Sequence, residues 1–265
     1  MATDTRRPMT RSAIEAVRRG LDIARSRVGA EEITSKGGRD LVTSTDIAVE
    51  DEIRRIVADA SPYPVVGEER GGEAPVDGSA YWLIDPICGT RNFASGIPLY
   101  CVNLAVVEDD RVTLAVVGDG SLDEIMFAEG GGGAWAIGQT GRRRLATDAQ
   151  SQTIVIEPGT TAGSRRDRAA RFTRDALRAD RWGIRNLSST LSSAYVAAGR
   201  VAAYVVFSVP ALHAGAGTLL VAEAGGTVTD ITGGPWTVGS DSLLASANPE
   251  LHRELIEMVR ESGID

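Results

Sequence analysis

Three short segments place acidic, thiol or imidazole side chains beside sharp turns. Residues 65–69, V-V-G-E-E, end an apolar run in Glu68 and Glu69, carboxylates of the kind that hold cations or move protons. Residues 82–93, W-L-I-D-P-I-C-G-T-R-N-F, carry Asp85 out of a buried-type strand into a Pro and Gly turn that also holds Cys88, Gly89 and Thr90. Residues 211–226, A-L-H-A-G-A-G-T-L-L-V-A-E-A-G-G, set His213 just before a predicted helix whose glycines permit close approach of another backbone. A thiol can attack as a nucleophile, an imidazole can take its proton, and both can ligate a metal. Each residue also has a plain structural reading: solvated turn residues for Glu68 and Glu69, a turn cap for Asp85, a small buried hydrophobe for Cys88, and a helix-start residue bonded to backbone for His213. Strand ends and helix starts are where a rigid scaffold presents side chains, which favours function at all three.

The elements that position these segments follow from hydrophobic spacing. Ser12 and Glu15 fit a capping box ahead of Ile14, Val17, Leu21, Ala24 and Val28 at helical period. After a turn at Gly37 and Gly38, Thr45 or Asp46 caps a second predicted helix with Ile47, Ile53, Ile56 and Val57 on one side. Apolar runs at 63–66, 81–84, 102–107, 112–117 and 125–128 read as strands, with a hairpin at Asp109 and Asp110 and another strand at 135–137 after the glycine run 130–133. From about residue 145 the pattern alternates: strands at 154–156, 183–185 and 203–207, helices at 165–179, 190–198 and 215–224. Gly225 and Gly226 end the last of these, and two short strands and a helix at 249–261 close the chain. The expectation is a helix-covered, largely antiparallel first half (1–144, α+β) and an α/β second half (145–265) closing a pocket with it.

Composition removes several classes of function. With 36 acidic and 28 basic residues the net charge is −8, which disfavours attraction to nucleic-acid backbones. Two cysteines, Cys88 and Cys101, make no disulfide framework. The opening M-A-T-D-T-R-R-P-M-T has no apolar core, and the longest apolar stretch, 194–210, is interrupted by Arg200, so a cytoplasmic protein without a membrane span is expected. Cys101 reads as core, His252 as a surface residue of the last helix, Arg165, Arg166 and Arg168 as a solvated helix face, and the glycine run as a hairpin connection without the lysine of a phosphate loop.

Together the motifs resemble the inositol monophosphatase family of magnesium-dependent, lithium-sensitive phosphomonoesterases. The matching segments are D-L-V-T-S-T-D at 40–46, G-E-E at 67–69, the 82–93 segment with Gly96 and Pro98, S-S-T-L-S-S-A-Y-V-A-A-G-R-V-A-A-Y-V-V at 188–206, and L-H-A-G-A-G at 212–217. The resemblance implies an αβαβα layered sandwich of α+β and α/β parts, and a homodimer. It also implies a first metal site of Glu68, Asp85 and the Ile87 carbonyl, with Asp46, Thr90 and Glu68 positioning the attacking water.

The sequence departs from the family pattern at the second metal site, where two aspartates are replaced by Cys88 and His213. Magnesium favours oxygen donors in octahedral geometry, and a thiol plus an imidazole is a poor replacement. The family's polyol-contacting Glu falls on Val206 and another Asp on Ala202, so inositol phosphate is not the expected substrate. Residues that shared one ion must converge to within about 3 to 5 Å, which makes Cys88 and His213 neighbours.

Three readings then compete. In the preferred one, Cys88 is a nucleophile, His213 its base and Asp85 the orienting acid, with Thr90 or the Gly89 amides serving an oxyanion, for acyl transfer, hydrolysis or cyclisation of a small molecule without a required cofactor. An unassisted thiol is only about 3% thiolate at pH 7, and a neighbouring imidazolium raises that fraction. The second reading is a phosphomonoesterase using magnesium, or zinc on Asp85, Cys88 and His213. The third is a noncatalytic binding protein of the same fold.

Overall fold

The computed structural model describes residues 8–29, 34–37, 40–159 and 163–263. Gly38 of the predicted turn and the first seven residues lie outside these. Seven helices and fourteen strands are laid out among the described residues.

The chain opens with helix α1 (Pro8–Arg25), whose apolar residues Ile14, Val17, Leu21 and Ala24 are buried on one side. The helix begins at Pro8, a residue preorganised for a first turn, so Ser12 sits inside it instead of capping it. Strands β1 (Thr34–Gly37) and β2 (Asp40–Val42) pair as a small hairpin the apolar spacing does not reveal. Helix α2 (Ser44–Ala60) is capped by Thr43, two or three residues earlier than the predicted cap. The Thr43 hydroxyl and the Asp46 carboxylate close a reciprocal capping box, so Asp46 belongs to the first turn.

Strands β3 (Val65–Gly67), β4 (Tyr81–Cys88), β5 (Cys101–Glu108), β6 (Arg111–Asp119), β7 (Glu124–Glu129), β8 (Ala134–Gly138) and β9 (Gly141–Arg144) form a seven-stranded sheet in that order. All neighbours are antiparallel except β3 and β4. Its central strands are apolar on both faces because both faces are covered. On one side Trp82, Ile84, Val102, Leu104 and Val116 pack on α1 and α2. On the other, Leu83, Ala105, Ala115 and Met126 pack on helices α5 (Leu191–Ala197) and α6 (Ala211–Glu223). The predicted hairpin is present, with Asp109 and Asp110 both at positive φ, as a two-residue primed turn requires. The glycine run connects β7 and β8, and its Gly131 and Gly133 amides each donate to the Glu223 carboxylate at 2.7 Å, tying the loop to the end of α6.

The second sheet has the order β11-β10-β12-β14-β13, made of β10 (Thr153–Glu157), β11 (Gly183–Arg185), β12 (Ala203–Val206), β13 (Thr227–Thr229) and β14 (Leu243–Ser246). Strands β10, β11 and β12 run parallel, while β14 is antiparallel to β12 and β13. One face meets α5 and α6 through Val155, Tyr204, Val206 and Leu243. The other packs Ile154, Ile156, Val205 and Leu244 against Phe172 of α4 (Ser164–Ala179) and Leu255 and Val259 of α7 (Pro249–Glu261). The result is five layers, α/β/α/β/α, as the motifs imply.

His252 is not on the surface. It is 5% exposed, with Nε2 2.9 Å from Thr229 Oγ1 and Nδ1 2.9 Å from Ser246 Oγ, so α7 turns this polar residue into the sheet beneath it. Burial pushes its pKa down to about 4. Between its ordinary value near 6.5 and about 4, the unfolded chain binds a proton that the folded chain refuses, so this contribution to stability is lost as pH falls through that window. In an NMR titration the ring is expected to stay neutral down to about pH 4, and His252→Asn should reduce the loss of urea midpoint between pH 6.5 and 4.5. A ring titrating near 6.5 contradicts this.

Candidate active site

Asp85 is the centre of the site. Its Cα partner on β5 is Asn103, and the next paired residues are Cys88 and Cys101. Three steps along β4 therefore match two along β5, a bulge with one extra residue at Pro86, which has no N–H to give to the ladder. Strand alternation would send residues 85 and 88 to opposite faces. The bulge returns Cys88 to the Asp85 face, toward α6, while Ile87 points to the opposite core. Gly89 follows at φ 100°, and a Cβ there would lie 2.9 Å from the Leu99 carbonyl, which makes glycine the residue that fits. Thr90 then opens the short helix α3 (Thr90–Ala94).

From across the pocket, α6 delivers His213. The helix starts at Ala211 with Pro210 as its cap residue, so His213 lies in its first turn and not before it. Gly215 brings α6 near Leu83, and Gly217 brings it against Ser193 of α5. His213 Nδ1 lies 2.7 Å from Asp85 Oδ2, and its Nε2 3.9 Å from Glu68 Oε1. Ligand atoms of Asp85, Cys88 and His213 all lie within 4.8 Å of one another. The convergence expected of Cys88 and His213 is present.

The G-E-E turn is held by a residue that spacing does not single out. Buried Glu50 of α2 accepts from the Glu69 amide at 2.7 Å and the Arg70 amide at 3.1 Å, and pairs with Arg54 Nε at 2.8 Å. A side chain at Gly67 would collide with its carboxylate. Glu68 thereby faces the pocket beside Ile87, Cys88, Gly89, Thr90 and His213, at one end of a cavity of ≈ 340 Å³.

Asn103, Thr190 and Ser189 also belong to the site. Asn103 Nδ2 reaches Asp85 Oδ2 at 3.2 Å, Thr190 Oγ1 at 3.0 Å and the His213 carbonyl at 3.3 Å. Its signal was a lone amide in the otherwise apolar C-V-N-L-A-V-V. Cys88 Sγ sits 2.9 Å from Thr190 Oγ1 and receives the Thr190 amide at 3.2 Å, while Ser189 Oγ donates to the Cys88 carbonyl at 2.9 Å. Cys101 is buried as expected, 3.6 Å from Ser189 Oγ.

The electrostatics separate the two halves of the proposed dyad. Burial acts against a charged His213 ring, but the Asp85 carboxylate in contact with it overcomes that and holds its pKa well above the histidine range. Hydrogen bonding to Cys101, then burial and the Asp85 charge, hold the Cys88 thiol well above its ordinary value, against the opposing pull of His213. Both directions favour the proton, on the ring through Asp85 and on the sulfur through Cys101 and burial, which is unfavourable for a thiol activated by a neutral imidazole. Asp46, fully buried, is pushed up to about 6 by burial in spite of its Thr43 bonds. Thr90 Oγ1 donates to the Ile87 carbonyl at 3.0 Å and lies 3.5 Å from Asp46 Oδ1. The Glu69 amide donates to the Glu50 carboxylate.

A hard divalent cation fits one side of this arrangement. Asp85 is 0% exposed, and its Oδ1 has no hydrogen-bond partner among the described residues; Glu68 and Ile87, which line the cavity next to Cys88 and His213, offer further oxygens. A second such cation does not fit, because Asp85 Oδ2 is taken by His213 and Asn103 and the remaining donors are sulfur and nitrogen.

The sequence profile of the inositol monophosphatase family matches residues 5–263. An inositol-1-monophosphatase of Mycolicibacterium smegmatis is 34% identical over 241 residues, 88% of this chain and 85% of that one. A fructose-1,6-bisphosphatase/inositol-1-monophosphatase of Thermotoga maritima is 36% identical over 230 residues, 85% and 84% of the two chains. The solved IMPase of Thermotoga maritima superposes with a TM-score of 0.82 at 31% identity, covering 94% of this chain and 95% of that one. The five-layer fold, the ordered motifs and these matches agree, and the chain belongs to the inositol monophosphatase family.

Proposed function

We propose that this chain is a metal-dependent phosphomonoesterase for a small phosphorylated metabolite other than an inositol phosphate. The observation that carries this reading is the buried Oδ1 of Asp85, without a hydrogen-bond partner among the described residues, behind a cavity lined by Glu68, Ile87 and His213 and large enough for a small metabolite. The named activities of the Mycolicibacterium and Thermotoga relatives, both phosphate-ester hydrolyses, support it. Apolar Val206 and Ala202, where the family pattern has acids, argue against inositol phosphate.

A divalent cation held by Glu68, Asp85 and the Ile87 carbonyl would supply polarisation of the phosphoryl group and acidification of water. The remaining work belongs to the chain. Thr90 and Asp46 form a relay: when the Ile87 carbonyl is engaged, the Thr90 proton turns to Asp46 and the hydroxyl oxygen accepts from the attacking water. The His213 imidazolium stands between Asp85 and Glu68 and brings positive charge to the pocket wall, where phosphate charge accumulates. Asn103 fixes Asp85 and the His213 backbone relative to each other.

With a small-molecule phosphate panel, turnover should require magnesium, stop with chelator and return on adding the metal. Glu68→Gln is expected to lower kcat by about 10²-fold, equivalent to ~3 kcal/mol of transition-state charge stabilisation. Cys88→Ser should keep activity within about fivefold.

The thiol reading retains one favourable observation, the 2.7 Å contact between Asp85 and His213 with Cys88 nearby. It requires the opposite results: chelator-resistant activity, abolished by Cys88→Ser. One zinc per purified chain would place the cation on the Asp85, Cys88 and His213 set. The protonation state gives a direct check. Iodoacetamide at pH 7.5 should alkylate Cys88 at least 10-fold more slowly than a free thiol, as followed by mass spectrometry; rapid alkylation that tracks loss of activity would support the nucleophile.

A further inference from the structure

The relay and the metal-side residues leave one buried acid of the cavity without a role. Glu157, at the C-terminal end of β10, lines the same pocket yet is only 8% exposed. Tyr204, itself fully buried, donates to its Oε2 over a long 3.4 Å, and Oε1 has no hydrogen-bond partner among the described residues.

Two other buried acids outside the metal side, Asp119 and Glu50, are treated differently. Asp119 accepts from the Ser121 amide and hydroxyl at 2.8 Å, from the Leu122 amide at 3.1 Å and from Tyr195 Oη at 2.9 Å. Glu50 accepts two amides and pairs with Arg54. Those saturated carboxylates hold loops together. Glu157 is less well met: the amides of Ser189, Leu187 and Ser188 and the long Tyr204 bond only partly offset burial, which pushes its pKa up to about 7, Oε1 has no hydrogen-bond partner, and no ion pair reaches it among the described residues. A buried carboxyl without a counter-charge is costly, and here it stands in the wall of a ligand cavity. A ligand that brings both N–H donors and positive charge completes it; a hydroxyl brings the donor alone.

We propose that Glu157 is the subsite for a protonated amine on the alcohol portion of the substrate, so that the metabolite is a phosphorylated amino sugar or amino alcohol. The proposal rests on the phosphoester reading above and names the substrate class of that site. Ser208 and Asn186, also in the cavity wall, are of the type that accepts the remaining ammonium protons.

The test is calorimetric binding by the full chain with magnesium present, using matched pairs: glucosamine 6-phosphate against glucose 6-phosphate, and phosphoethanolamine against 2-hydroxyethyl phosphate, with inorganic phosphate as reference. In the wild type, at least one amine is expected to bind 10-fold or more tightly than its hydroxyl partner. Glu157→Gln should remove that preference and change inorganic phosphate affinity less than twofold, while Glu157→Asp, which keeps the charge, should preserve part of it. Equal affinities within both pairs in the wild type, or an unchanged preference in Glu157→Gln, overturn the proposal. Phosphate release separates the two ideas. An amine preference in binding without turnover removes the phosphatase reading alone, and turnover without an amine preference removes the Glu157 assignment alone.

Discussion

Burying the Asp85 charge is the constraint that organises this site. A carboxylate with no exposed surface must be met by donors or counter-charge, and each neighbouring element answers part of that demand. The bulge at Pro86 keeps Asp85 and Cys88 on one face; β5 supplies Asn103; α6 supplies His213. The small residues of α6 follow from the same demand. The imidazole reaches Asp85 because Gly215 and Gly217 let its helix settle between the sheet and α5. The middle helical layer therefore positions the chemistry as well as filling the core.

On the resemblance, a carboxylate at position 213 has given way to an imidazole, and a protonated ring there would change the local charge by two units, from −1 to +1. A pocket with a further acid at 213 and another at 88 would need two divalent cations to approach neutrality. Here Glu68 and Asp85 face one imidazolium and a neutral thiol. That set sums to −1, so a single divalent cation already reverses its sign, and the Asp85 Oδ1 without a partner among the described residues is an oxygen suited to it.

Much of this was legible because period and composition are local. The runs at 102–107 and 112–117 are strands, the alternation after residue 145 is present, and D-P-I-C-G-T marks a turn at a strand end. The errors share a physical origin in contacts distant along the chain. Ser12 and Glu15 have a capping spacing, but Pro8 already starts the helix. Asp46 looks like a cap because it is the partner of one, Thr43. His252 lies on the polar side of its helix by sequence, yet Thr229 and Ser246 wait beneath it. Glu50 and Glu157 illustrate the limit most clearly. Both are acids near strand or helix residues of no special pattern, and only the fold shows that one is saturated by a loop and the other open to a cavity.

Convergence of three ligand-type atoms within 4.8 Å does not by itself distinguish a triad from a former metal site. The protons do. In a working thiol dyad, one proton is shared between sulfur and ring, so that lowering the thiol pKa and raising the imidazole pKa are the same event. At this site third parties act on each of the two more strongly than they act on one another. Asp85 keeps the ring charged through its own contact, and Cys101 and Thr190 surround the sulfur with groups that favour the neutral thiol or occupy it. The Thr190 amide directed at Sγ and the hydrogen bond to His213 act the other way, favouring a thiolate. A neutral thiol beside a charged ring would hold one proton more than a resting triad does, with Asp85 in contact with Nδ1 and Glu68 3.9 Å from Nε2. The same excess proton is no obstacle to phosphate chemistry, where a fixed positive charge beside the transferred group is what the transition state requires.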